Sequence, residues 1–127
     1  MDVRAIALAL AVMLVACNRL PRDSSAREQA MALTGADPDG GPALMRHYGC
    51  VSCHSIPGVR GADATVGPPL TAMSRRTYIA GVLPNNPANM VRWIVNPPSV
   101  DSLTAMPYLG VTAGDARTIA AYLYTLR

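Results

Sequence analysis

Phenylalanine is absent from this chain, and tryptophan occurs once. Aromatic residues make up 5% of a sequence that is 50% hydrophobic, so the core must fill its volume by other means. Sulfur and small aliphatic side chains can do so, and so can a bound group. Lysine is absent too. All eleven basic residues are arginine, the formal charge is only +3, and no basic run occurs. That excludes the charged stripe by which proteins grip nucleic acid. Three cysteines are too few, and odd in number, for a disulfide scaffold. At 127 residues the chain has room for one domain.

Long hydrophobic runs are also missing. The longest, Ala5 to Ala16, stops at twelve residues, where a bilayer span needs about twenty. Following Met1-Asp2-Val3-Arg4, it predicts a signal peptide over residues 1–16. The run ends in Leu14-Val15-Ala16-Cys17, which resembles the lipobox of bacterial lipoproteins. That resemblance implies cleavage before Cys17 and lipidation of its thiol, which would account for the odd cysteine. An ordinary signal peptide or a short anchor is the alternative. Residues 17–39, rich in Pro, Asp, Ser and Arg, predict a linker with room for a short helix over residues 27–33. A flexible tether of that length spans on the order of 25 Å. The folded domain is then expected over residues 40–127.

What the domain does contain is Cys50-Val51-Ser52-Cys53-His54. Two thiols three residues apart with an imidazole directly after them are the pattern of covalent haem attachment. Cys50 and Cys53 would form thioethers, and His54 would be an axial iron ligand. A dithiol oxidoreductase would call for a βαβ setting, and no strand pattern precedes Cys50. A zinc site would need four ligands, and Cys50, Cys53, His54 and His47 lie too close together for a relaxed tetrahedron.

The surroundings carry a family resemblance. Gly41, Leu44-Met45, Gly49 and the CxxCH run resemble the N-terminal helix and haem site of class I, mono-haem cytochromes c. Met45 departs from the pattern, standing where that family often has an aromatic. Val66-Gly67-Pro68-Pro69-Leu70 matches the Gly-Pro-x-Leu segment that follows the haem site there. The resemblance implies that the Pro68 carbonyl accepts a hydrogen bond from the iron-bound His54. Asn86 and Pro87 predict the start of a helix, Met90, Val91, Trp93 and Ile94 its apolar face, and Asn96-Pro97-Pro98 its end. In the family this helix lays an aromatic beside the haem, which makes Trp93 the equivalent here. Thr112 to Asp115 predict a capped start for the last helix, with Ala116, Ile119, Ala120 and Leu123 as its buried stripe.

A sixth ligand remains to be found. His47, three residues before Cys50, is badly placed to reach the opposite face. Among the methionines outside the leader, linker and first helix, Met73, Met90 and Met106 remain. Met106-Pro107 lies in a loop just before the last helix, as the ligand methionine does in the family. Ser74 to Gly81 predict one helical turn, and Arg75, Arg76 or Tyr78 would pair with a haem propionate.

The resemblance thus implies an all-α fold of three to five short helices wrapped around one covalent haem c, with terminal helices crossing. It implies a one-electron carrier rather than an enzyme, with His54/Met106 ligation and no small-molecule substrate. Partners would be respiratory oxidases, reductases or dehydrogenases, met on the periplasmic side of a bacterial membrane through a lipid anchor. A fixed haem c subunit of a larger oxidase or dehydrogenase complex is the alternative.

Overall fold

Helix formation dominates the chain, each segment begun and ended by local chemistry. The computed structural model describes residues 22–127; the expected leader over residues 1–16 and lipidation of Cys17 lie outside them. Five α-helices follow in order: α1 Arg22–Thr34, α2 Gly41–His47, α3 Pro87–Val95, α4 Pro97–Val100 and α5 Ala113–Thr125. Single 3₁₀ turns cover Pro38–Gly40, Cys50–Ser52 and Met73–Arg75. None of the helices is long and apolar enough to cross a membrane.

The last helix is the hub. Thr112 caps it by accepting the Asp115 N–H at 3.1 Å. The expected stripe of Ala116, Ile119, Ala120 and Leu123 is buried, joined by Ala121 and Tyr124. Against it lie α1, α2 and α3. The α2–α5 crossing is close because α2 begins with Gly41. A Cβ there would collide with Cβ of Tyr122 and come within 2.9 Å of its ring carbon Cγ. Met45 sits one turn further on, 1% exposed. It occupies the place read from sequence as an aromatic position, and its burial contributes about 1.5–3 kcal/mol.

Helix α3 starts and stops as the sequence dictates. Asn86 accepts the Asn89 N–H at 2.9 Å, Pro87 opens the first turn, and Met90, Trp93 and Ile94 are buried. Asn96 ends it and at once caps α4, accepting the Ser99 N–H at 3.2 Å.

Two segments differ from the sequence expectation. Within the stretch read as a linker, α1 is longer than the short helix allowed for, and it is packed. Ala26 and Ala30, one helical turn apart, are 7% and 0% exposed. The Arg27 guanidinium reaches Asp37 at 2.8 Å and Asp39 at 3.1 Å, while Arg127 donates to Gln29 Oε1 at 2.7 Å. The interface is made of methyl groups, which leave almost no amphipathic signature. The second difference is a correction: the helical turn expected over Ser74 to Gly81 is not what forms. After the 3₁₀ turn, Tyr78–Ile79 pairs antiparallel with Leu83–Pro84, Ile79 opposite Leu83. Ala80 and Gly81 both take positive φ, 51° and 77°, and the Val82 N–H closes on the Ile79 carbonyl at 3.0 Å. Two consecutive residues with positive φ fold the chain back on itself over residues 80–82, which diverts it from a helix.

Candidate functional site

Helix α2 ends at Gly49, whose φ of 76° turns the chain sharply. The next residues wind one 3₁₀ turn, with the N–H groups of Cys53 and His54 both donating to the Cys50 carbonyl, at 3.2 and 3.0 Å. Cys50 and Cys53 are free thiols, half-buried, at the spacing of a CxxCH motif. Burial pushes the Cys50 thiol above its ordinary range, and the neighbouring Cys53 adds to the effect. That is the reverse of the depressed thiol on which dithiol exchange depends. Among the described residues no three His, Cys, Asp or Glu side chains gather as a metal cage.

The imidazole of His54 is fixed from one side. Its Nδ1 lies 2.7 Å from the Pro68 carbonyl. A carbonyl oxygen only accepts, so Nδ1 carries the hydrogen, and in the neutral ring Nε2 is then the nitrogen with the lone pair. The ring stacks so closely on the Pro68 segment that a Cβ at Gly67 would sit 2.5 Å from Cε1 and 2.7 Å from Nδ1. Two backbone bonds hold this segment against the motif: Gly67 N–H to the Cys53 carbonyl at 2.7 Å, and Leu70 N–H to the Ser55 carbonyl at 2.9 Å.

The other predicted site residues fall into two groups. Trp93 is buried, and Cys50, Leu70 and Met106 are half-buried against the same apolar core. Met73 and Met90 are 5% and 1% exposed within that core, whereas Met106 is a half-exposed loop residue. Its N–H donates to Thr104 Oγ1 at 3.2 Å. Exposed apolar side chains flank both loops: Val66 beside Gly67, and Leu103, Tyr108 and Leu109 around Met106. Arg75 and Tyr78 are not drawn into this group. Tyr78 is 57% exposed, and Arg75 borders a separate surface groove with Pro57, Leu126 and Arg127.

Arg76 serves the loop itself, donating to the Pro69 carbonyl and, at 2.9 Å, to that of Thr71. Sequence reasoning had it only as one of three propionate candidates. It also passed over Asn85 and the need for a glycine at position 67, although the Gly-Pro pair that signals the latter was in view.

These residues suit a thioether-linked haem. There are two half-exposed thiols, one imidazole nitrogen with a free lone pair, a thioether sulfur in a loop, and apolar walls on both loops.

The chain is similar to cytochrome c oxidase subunit 2. It is 33% identical to that protein from Alkalihalophilus pseudofirmus over 88 residues, 68% of this chain and 25% of the relative. It is 31% identical to the Bacillus subtilis protein over 86 residues, 66% of this chain and 24% of the relative. The chain therefore spans about a quarter of the length of the curated relatives it matches. No family model and no solved structure matches it.

Proposed function

We propose that the domain is a class I cytochrome c, binding one haem c and passing single electrons without making or breaking substrate bonds. The observation that carries this is the His54–Pro68 pair behind a CxxCH motif, with the ring cradled on Gly67. A haem c supplies a one-electron iron couple when bound. Cys50 and Cys53 would hold it covalently, and His54 would present Nε2 to the metal. The bond to the Pro68 carbonyl orients that imidazole and raises its donor strength. Met106 would complete the ligand set, half-exposed in a loop where Met73 and Met90 are buried within the core. Trp93 would wall the pocket. Cys17 would carry a lipid, holding the domain at the periplasmic face of a bacterial membrane.

The partner reading follows the comparisons. Both relatives are named as subunits of cytochrome c oxidase, which favours an oxidase over a reductase or dehydrogenase as partner. The same similarity gives weight to a second reading, a haem c subunit held within an oxidase complex. Purification from detergent-solubilised membranes separates the two: co-elution with larger subunits supports the fixed subunit, and a lone small cytochrome the carrier.

The deciding test for the cofactor is a pyridine haemochrome spectrum of the whole chain. A thioether-linked haem is expected. Its absence from protein matured in a host that attaches haem c refutes the proposal. For the sixth ligand, Met106→Ala is expected to abolish the sulfur-to-iron charge-transfer band and lower the potential. An unchanged spectrum would remove Met106 from the ligand set.

A further inference from the structure

We infer that Asn85 is a positioning residue for His54, acting through a hydrogen-bonded relay that runs from the last helix to the imidazole. Its electronic consequence rests on His54 being an iron ligand; the relay itself does not. It begins at Tyr124, only 8% exposed, whose hydroxyl donates to Asn85 Oδ1 at 2.7 Å. Asn85 Nδ2 in turn donates to two backbone carbonyls, Met73 at 2.9 Å and Arg76 at 2.7 Å. Because carbonyls only accept, these partners fix which way the amide faces. The Asn85 N–H donates to the Thr77 carbonyl at 2.9 Å, so one residue ties down three of the five positions from 73 to 77.

Arg76 is the next link. With its own carbonyl held by Asn85, its guanidinium donates to the Pro69 carbonyl and to that of Thr71. Those two carbonyls lie just beyond Pro68, whose carbonyl accepts from His54 Nδ1 at 2.7 Å. The path from Tyr124 to the imidazole is thus made of hydrogen bonds, the Arg76 side chain and the peptide unit between Pro68 and Pro69. No buried side-chain nitrogen or oxygen among the described residues lacks a partner, so the buried part of the network is fully paired.

Asparagine is suited to this position by its donor count. Aspartate would turn a carboxylate toward two carbonyls, serine reaches one partner at most, and leucine reaches none. Losing the amide releases the Met73 and Arg76 carbonyls and so loosens the anchor of Arg76, while the backbone bond from Asn85 to Thr77 stays. The Pro68 carbonyl then moves more freely against His54. A weaker bond at Nδ1 makes the imidazole a poorer donor to iron, which favours the reduced state.

The test uses the full-length, haem-loaded chain and two readouts: solvent exchange of the His54 Nδ1–H by NMR, and the midpoint potential. Asn85→Leu is of similar size and neutral, so no new charge acts on the iron. It is expected to speed the exchange by roughly tenfold, the factor that weakening by about one hydrogen bond corresponds to, and to raise the potential. Tyr124→Phe leaves the amide in place and is expected to shift both readouts in the same directions, by less. It carries the test if Asn85→Leu does not fold. Thr112→Ala removes the α5 cap, lowers stability by a comparable amount and is expected to move neither readout. A melting point that falls in Asn85→Leu with unchanged exchange and potential, a potential that drops, or a Thr112→Ala control that moves both, overturns the inference. If no haem is attached at all, the exchange measurement still judges the relay on its own.

Discussion

Replacing Gly67 by alanine tests the site at its tightest point. The added methyl carbon would lie 2.5 Å from His54 Cε1, 2.7 Å from Nδ1 and 3.1 Å from Nε2. The first of these is about 1 Å inside ordinary carbon–carbon contact. The ring cannot swing away without breaking its 2.7 Å bond to the Pro68 carbonyl. Nor can the segment retreat easily, because the Gly67 N–H is itself bonded to the Cys53 carbonyl at 2.7 Å. Overpacking of this kind costs about 1–3 kcal/mol, and a lost hydrogen bond adds about 1 kcal/mol. Gly67→Ala is therefore expected to destabilise the domain by about 2–4 kcal/mol in denaturant unfolding. It should also disturb the NMR signals of the His54 ring. Gly61→Ala is the control: its φ of 77° carries a backbone penalty of about 1–2 kcal/mol, but a Cβ there meets nothing within 4 Å. Equal losses in the two variants, with His54 undisturbed in both, would refute the claim that Gly67 is fixed by the imidazole.

Three further outcomes follow from the geometry. Gly41→Ala places a methyl against Tyr122 and is expected to destabilise the α2–α5 crossing by about 1–3 kcal/mol, more than alanine's better helix propensity restores; thermal melting measures it. Ala80→Gly relieves a left-handed φ of 51° and is expected to stabilise the hairpin by about 0.5–1 kcal/mol, seen as a higher melting temperature. Burial pushes the Tyr124 hydroxyl from 10.0 up to about 12. The folded state thus holds this proton more tightly than the unfolded one. The stability it confers is complete below pH 10 and is lost as pH rises toward 12, a decline that Tyr124→Phe is expected to flatten in alkaline unfolding.

What could be read from the chain was what local chemistry dictates. The caps at Asn86 and Thr112 and the stripe on α5 each follow from residues within a few positions of one another. The CxxCH motif and the Gly-Pro segment belong to the same class: short patterns whose spacing has a mechanical reason. The α1 interface was illegible for the opposite cause. Its buried face consists of Ala26 and Ala30, and alanine looks the same on a buried face as on an exposed one. Its other contacts, Arg27 with Asp37 and Asp39 and Arg127 with Gln29, join exposed polar residues that the sequence gives no reason to pair. The 78–84 hairpin failed for a subtler reason. The turn uses Ala80-Gly81, where only the second residue advertises a positive φ. Arg76 was weighed only as one of three propionate candidates, because an arginine's preference for backbone carbonyls leaves no trace in sequence.

The position of α1 bears on how the domain would meet its partners. As an open tether, residues 17–39 would reach on the order of 25 Å and let the domain turn freely. With α1 packed along α5, only residues 18–21 separate Cys17 from the folded body. Fully extended, that link spans about 18 Å, little more than the roughly 13 Å radius of gyration of a domain this size. A lipid on Cys17 would then hold the domain against the membrane surface, able to tilt but not to search. A carrier so confined exchanges electrons only with proteins that come to it or stand beside it. Such confinement would favour the second proposed reading, a fixed subunit, over a mobile carrier. Loosening α1, by Ala30→Glu within its buried face, is expected to restore the longer reach.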